Sequence, residues 1–306
     1  LRQTLVKTLE RLVPILGEVE GEPTPLEGGI TNRNFRARFS DGEVVIRLPG
    51  KDTELLGIDR EAEGHANACA AEAGVAPEVV ARLDDPPCLV TRFVEGREMS
   101  PRELREPLAL KEVAAALRAV HGCGERLSTC FSPLRVVEAY AELATRRGAS
   151  LPEGYGSALE SARRAEAALS GPDHDPVLCH NDLLDANFLR GREGIRIVDW
   201  EYAGMGDRFF DLGNFAVNNE LDGEDEATLL GAYFGEPPGR GRLAALGLMR
   251  FMSDFREAMW GVLQGAISDL DFDFEGYAAG HFARLGNAAA GGALDALIEE
   301  AGATAG

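Results

Sequence analysis

The chain has 306 residues, 45% of them hydrophobic, and a formal net charge of −20, so it can bury a large core in about two domains or lobes. No apolar run approaches the ~18 residues that span a bilayer, and so acidic a chain repels nucleic acid and anionic membranes. Cys69, Cys88, Cys123, Cys130 and Cys179 are odd in number and form no C-x-x-C pair, which argues against a disulfide framework or a thiolate metal site and for a reducing, cytoplasmic compartment.

Leu1 to Val19 sets leucines at helical spacing among Arg2, Lys7, Glu10 and Arg11, an amphipathic surface helix and not a signal peptide. Asn34 to Phe39 and Glu43 to Leu48 flank Ser40-Asp41-Gly42 and read as a hairpin. Strand alternation puts Val45 and Arg47 on one side of the second strand, opposite Val44 and Ile46. Asp59 to Ala73 is alanine-rich and helical, stopped by Gly74. Pro77 to Ala81 and Cys88 to Val94 read as strands, turned by Asp84-Asp85-Pro86-Pro87.

After Glu95-Gly96 the texture changes. Leu108 to Val120, Val136 to Arg147 and Gly156 to Ser170 carry helical periodicity. A strand, loop and strand follow, from Val177 to Cys179 and from Gly194 to Asp199, and the chain reads as helical from Leu212 onward. The expected fold is therefore α+β, with a small antiparallel-sheet lobe carrying one main helix (1–94) and a larger, mainly helical lobe (95–306).

The segment that carries chemistry is His180-Asn-Asp-Leu-Leu-Asp-Ala-Asn187. Its His-x-Asp, with Asn five positions after the aspartate, has the spacing of a kinase catalytic loop. Phosphoryl transfer needs a carboxylate to take the acceptor's proton and an oxygen ligand for Mg2+; Asp182 suits the first task and Asn187 the second. Seventeen residues beyond Asp182, Asp199 ends a strand and supplies a second carboxylate to the same cleft. Period-two alternation sets Glu201 beside it. His180 reads as an organiser of the loop and Asp211 as an acid that holds the loop backbone. Gly239-Arg-Gly241-Arg-Leu-Ala244 fits a relaxed dinucleotide pattern, but it follows Pro237-Pro238 and no strand, and is set aside.

Taken with Val198-Asp-Trp-Glu-Tyr-Ala-Gly204 and Phe210-Asp-Leu-Gly-Asn214, the loop resembles the choline/ethanolamine kinase family, a branch of the aminoglycoside-phosphotransferase-like kinases. The likeness runs from about Leu26 to Tyr277. It implies a two-lobed protein-kinase-like fold, ATP and Mg2+ as cofactors, and transfer of the γ-phosphate to a hydroxyl of a cationic amino alcohol such as choline or ethanolamine. Leu26-Glu-Gly-Gly-Ile-Thr-Asn32 resembles the family's nucleotide loop, which points to Gly28, Gly29, Thr31 and Asn32. Arg47 stands where most kinases present a lysine; of the three lysines, Lys7, Lys51 and Lys111, none is on this strand. Glu63 is placed to pair with Arg47, with Glu61 as the alternative. Adenine would lie against Thr91 to Glu95, at Phe93, and Asn187 and Asp199 would hold the metal.

Phe255 to Gln264 and Ile267 to Tyr277 resemble the acceptor-pocket helices, which implicates Glu257, Trp260 and Tyr277, with Glu201 facing either metal or acceptor. Glu257 departs from eukaryotic choline kinases, which tend to have a second tryptophan there; a carboxylate still attracts a cation, and it suits either an amine with N–H donors, such as ethanolamine, or a different ligand altogether. Trp260 reads equally as pocket wall and as core. Two other readings stay open: a sister kinase acting on an aminoglycoside, thiamine or another metabolite, and a silent pseudokinase that serves as a binding module.

Overall fold

The computed structural model of the protein describes residues 1–26 and 32–303. Gly28, Gly29 and Thr31 of the nucleotide loop therefore lie outside the described residues. The first third comprises helix α1 (Arg2–Leu16), strands β1 (Thr24–Leu26), β2 (Asn32–Phe39) and β3 (Gly42–Pro49), helix α2 (Arg60–Glu72), and strands β4 (Val79–Asp84) and β5 (Pro87–Arg92). The strands form one antiparallel sheet in the order β1-β2-β3-β5-β4. Phe39 pairs with Gly42, so Ser40-Asp41 closes a two-residue hairpin turn, and Gly42 takes a φ of +120° that favours glycine. Val44, Ile46 and Leu48 of β3 are buried with Leu12 and Leu16 of α1, while Val45 and Arg47 line the cleft on the other face.

The remainder runs through β6 (Gly96–Glu98), α3 (Pro101–Leu104), α4 (Pro107–His121), α5 (Pro133–Arg146), α6 (Tyr155–Ala168), β7 (Val177–Cys179), β8 (Phe188–Gly191), β9 (Gly194–Ile197) and β10 (Gly204–Gly206). It closes with α7 (Arg208–Asn218), α8 (Gly223–Phe234), α9 (Arg240–Ile267), α10 (Phe274–Ala289) and α11 (Ala293–Ala303). Two small antiparallel sheets, β6-β8-β9 and β10-β7, sit among these helices. The pattern of a sheet-rich first third followed by helices is the α+β architecture that the sequence predicts. The short strands β6, β8 and β10 add to it; at three or four residues each they are too brief to show periodicity.

Two apolar cores form. One joins α1 to the five-stranded sheet. The other fills the helical part and takes in Leu56, Ile58, Ala66, Cys69, Ala70, Val75 and Ala76. Helix α2 is therefore encoded with the sheet but packs its small apolar face into the helical core. Its start is fixed by Asp59, whose carboxylate accepts from the backbone N–H groups of Glu61 and Ala62.

Helix α9 is the central post, buried on every side along its middle and packed on α5, α7, α10 and α11. Where it meets α7, a Cβ on Gly213 would fall 2.8 Å from the backbone of Met249. Gly213→Ala is thus expected to push α7 off α9 and cost ~1–3 kcal/mol, a loss readable in urea unfolding. An unchanged midpoint would show that the contact yields at no cost.

Candidate active site

The catalytic-loop sequence folds without a helix or strand from Asn181 to Leu184, so its backbone groups need partners. Three side chains supply them. Asp211, on α7, accepts from the N–H of His180 at 2.8 Å and of Asn181 at 2.7 Å. It also bonds His121 at 3.0 Å, and His121 in turn bonds the Tyr233 hydroxyl at 2.7 Å. Burial works against the Asp211 charge, but His121 and His180 outweigh it and hold the carboxyl below its usual range. Asn214, one turn further along α7, accepts from the N–H of Leu183 and donates to Ser253 of α9.

His180 is the third brace. Its Nδ1 accepts from the N–H of Asp182 at 3.2 Å, which leaves Nε2–H to donate to the Val198 carbonyl at 2.9 Å. Its ring meets the edge of buried Trp200 with centroids 4.6 Å apart, and burial lowers its pKa, keeping it neutral. His180 thus ties the loop to the segment that carries Asp199. Trp200 is the wedge beneath that segment, its N–H donating to the Ile197 carbonyl at 3.0 Å.

Strand β9 ends at Ile197, before Asp199. Asp199 itself has φ +68° and Asn181 has φ +66°, left-handed values that non-glycine residues seldom adopt and that cluster at functional sites. The period-two argument for Asp199 and Glu201 therefore does not apply, because the chain is turning and not extended there. The two carboxylates nevertheless reach one network. Arg47 donates to Glu63 at 2.9 Å and to Asp199 at 2.6 Å. Arg60 donates to the other oxygen of Glu63 at 2.8 Å, to Glu201 at 3.3 Å, to Asn32 at 3.0 Å and to Thr53 at 3.1 Å. Asn32 donates to Glu201 at 2.8 Å. Burial opposes the charge on Arg47, but Asp199, Glu63 and Glu201 overcome it and raise its pKa. Glu63 is buried and Glu61 is exposed, so the structure places Glu63, and not Glu61, against Arg47.

Beside this network lies a cavity of about 560 Å³ between the five-stranded sheet and the catalytic loop. Val45, Leu89, Leu189 and Val198 give it apolar walls, Phe93 and Val94 lie at its side, and Arg47, Asn187 and Asp199 lie at its polar end. The Phe93 N–H is taken by the Glu43 carbonyl at 3.0 Å, and the Arg36 guanidinium covers its ring at 3.9 Å. Phe93 can thus offer a purine its ring edge but not its N–H. Asn187 donates through Nδ2 to the Asp182 carbonyl at 2.8 Å. That bond fixes the amide's orientation and leaves Oδ1 as a ligand atom for a hard cation near the Asp199 carboxylate.

On the other side of Asp182 the buried guanidinium of Arg256 donates to Asp182 Oδ1 at 3.0 Å and to Glu257, and lies over the Tyr202 ring at 4.4 Å. Burial pushes the Asp182 carboxyl up to about 7, helped by Glu257 and Asp199 and opposed by Arg256. A base poised near neutrality is what proton transfer from an alcohol requires. Glu257 also accepts from the Tyr277 hydroxyl at 2.7 Å. Trp260 is 8% exposed, within the helical core. Phe274 and Tyr277 pack edge-on to it at 5.8 and 5.6 Å, and its N–H donates to the Tyr202 hydroxyl at 3.2 Å. Sequence reasoning missed Arg60 and Arg256. Arg256 directly precedes Glu257, but nothing in the local pattern marks it, because its partner Asp182 is 74 residues away.

Residues 22–246 match the phosphotransferase enzyme family. The two-part fold with this site is that of a small-molecule phosphotransferase, an enzyme that moves phosphate to an alcohol group. The chain is 28% identical over 288 residues to ethanolamine kinase 2 of Rattus norvegicus, covering 83% of this chain and 72% of that protein. A choline/ethanolamine kinase family protein from Mesorhizobium loti superposes with a TM-score of 0.83 at 30% identity, over 98% of this chain and 99% of that one. The choline kinase LicA of Streptococcus pneumoniae shares the fold, with a TM-score of 0.77 at 22% identity over 96% of this chain and 99% of that one. The chain belongs to the choline/ethanolamine kinase family.

Proposed function

We propose that the protein is an ATP- and Mg2+-dependent kinase that transfers the γ-phosphate to the hydroxyl of a small cationic amino alcohol, with residues 1–94 and 95–306 as its two lobes. One observation carries this reading: Asp182 lies between Asn187 and Asp199 on one side and Arg256 and Glu257 on the other. Asn32, Arg47 and Phe93, together with Gly28, Gly29 and Thr31, bind the nucleotide, and Glu63 orients Arg47. Asn187 and Asp199 hold Mg2+, which when bound offsets the phosphate charge. Asp182 accepts the acceptor's proton and aims its oxygen, and the rate comes mainly from positioning and preorganised charge.

Asp182 and Glu257 share the single guanidinium of Arg256, so the acceptor side keeps a net negative charge. Carboxylate and phenol oxygens there suit an ammonium with N–H donors, whereas the enclosed indole of Trp260 lacks the open face a quaternary ammonium needs. Ethanolamine is therefore expected to give a higher kcat/KM than choline when ADP release is measured against ethanolamine, choline, thiamine and an aminoglycoside. Turnover with the aminoglycoside alone would overturn the acceptor class. No ADP release with any acceptor, from protein shown to bind nucleotide, would point to a silent pseudokinase.

The nucleotide side has its own test. Arginine can span two phosphate oxygens with its planar fork, where lysine offers a point charge. Arg47→Ala is expected to raise the KM for ATP by about tenfold or more and to lower kcat, with Arg47→Lys restoring only part. Glu63→Ala should show a milder form of the same defect. A double-mutant cycle on kcat/KM should give a coupling of ~0.5–3 kcal/mol; strict additivity would show that the pair does not act together.

A further inference from the structure

Away from the cleft, α2 carries His65 and Cys69 four residues apart, hence one above the other on the same side of the helix. The loop after α4 brings Glu125 to them. A ring nitrogen of His65, the sulfur of Cys69 and a carboxylate oxygen of Glu125 all lie within 4.8 Å of one another. His65 Nε2 and Glu125 Oε2 are 3.6 Å apart. Gly124, just before Glu125, has φ +78°, a conformation that turns the chain sharply as it brings Glu125 in.

Donors bound at ~2.0–2.3 Å to a tetrahedral ion stand about 3.3–3.8 Å from each other. The histidine and glutamate already meet that spacing. Both are exposed, so their side chains can swing the remaining distance, at most about 1.5 Å, toward the buried sulfur. One imidazole, one thiolate and one carboxylate make a borderline-soft donor set, suited to Zn2+ and unsuited to Mg2+. The sequence pattern hides this cluster because Glu125 is remote from His65 and Cys69; the loop after α4 brings its carboxylate to them.

We propose that His65, Cys69 and Glu125 form a zinc-type cation site, with its fourth position open to solvent, that fastens α2 to the loop after α4. The consequence reaches the cleft through the helix. Glu63, two residues before His65, holds both Arg47 and Arg60, so an ion at this site fixes the helix that orients the basic groups of the nucleotide side. The site involves none of the residues placed in the catalytic or binding machinery, and the identity of the acceptor has no bearing on it.

The test uses the full chain, reduced and freed of metal, in excess Mg2+ to occupy the hard-ligand cleft, with Co2+ as the probe. One equivalent is expected to bind, with a thiolate-to-cobalt charge-transfer band in the near ultraviolet and visible bands of tetrahedral intensity, all abolished by added Zn2+. His65→Ala and Glu125→Gln, both at exposed positions that tolerate change, should each weaken Co2+ binding by roughly 10- to 100-fold or more, and Cys69→Ser should remove the charge-transfer band. Zn2+ should raise the Tm of the parent but not of His65→Ala. Absence of Co2+ binding, a band that survives Cys69→Ser, or unchanged affinity in His65→Ala would each overturn the proposal.

Discussion

Asp182→Asn is expected to lower kcat by roughly 100- to 10,000-fold, the range a positioned general base contributes, while nucleotide affinity stays within about tenfold. The substitution is close to isosteric. An asparagine oxygen can still accept from Arg256, which now donates to Asp182 at 3.0 Å, and Arg256 keeps Glu257 as a charged partner. His180 and Asn187 hold the backbone of residue 182 and not its carboxylate, so the loop keeps its shape. What is lost is the site for the acceptor's proton and the charge that aims its oxygen. Single-turnover kinetics with bound ATP would isolate this step, and thermal unfolding would confirm that the fold is unharmed. Near-parental turnover in that variant would falsify the role of Asp182.

The parts of this site legible in the sequence are those whose chemistry is packed into short segments. His180-x-Asp182 and Asn187 fall within eight residues, and the hairpin turn before β3 fixes which side chains alternate, so Arg47 could be assigned to the cleft face. Glu63 came with the family resemblance, as the acid on the following helix placed to pair with Arg47. Other features depend on contacts between remote segments. Arg60 opens α2 as an ordinary first-turn residue, yet it reaches Asn32 and Glu201, 28 and 141 positions away. Arg256 sits on a helix buried on every side, where periodicity marks no functional face. The geometry at Asp199 was the opposite case: the segment reads as a strand that continues through Glu201, whereas β9 stops at Ile197 and the left-handed turn at Asp199 delivers both acids to the arginines. The membership of α2 in the helical core was likewise hidden, because its alanines signal a helix and say nothing of which neighbour covers them.

The second large effect is expected from Asp199→Ala. Asp199 is bound to Arg47 at 2.6 Å, so two roles compete: partner of the arginine, or ligand of a hard cation. The donor set favours the ligand role. Asn187 contributes one neutral oxygen, and a divalent ion with strong hydration needs at least one carboxylate to be held beside phosphate. The turn at Asp199 also keeps this carboxylate at the polar end of the cavity wall formed by Val198 and Leu189. Removing it should weaken Mg2+-dependent ATP binding by about 100-fold or more, beyond the loss typical of an outer-shell partner, and leave binding of metal-free ATP nearly unchanged or slightly tighter, because Arg47 is released toward the phosphates. If Asp199 served only to restrain Arg47, the variant would bind Mg2+–ATP as well as the parent does and its Mg2+ dependence would not move. Titrating Mg2+ at fixed ATP, with binding read by calorimetry in parent and variant, separates the two outcomes without relying on turnover.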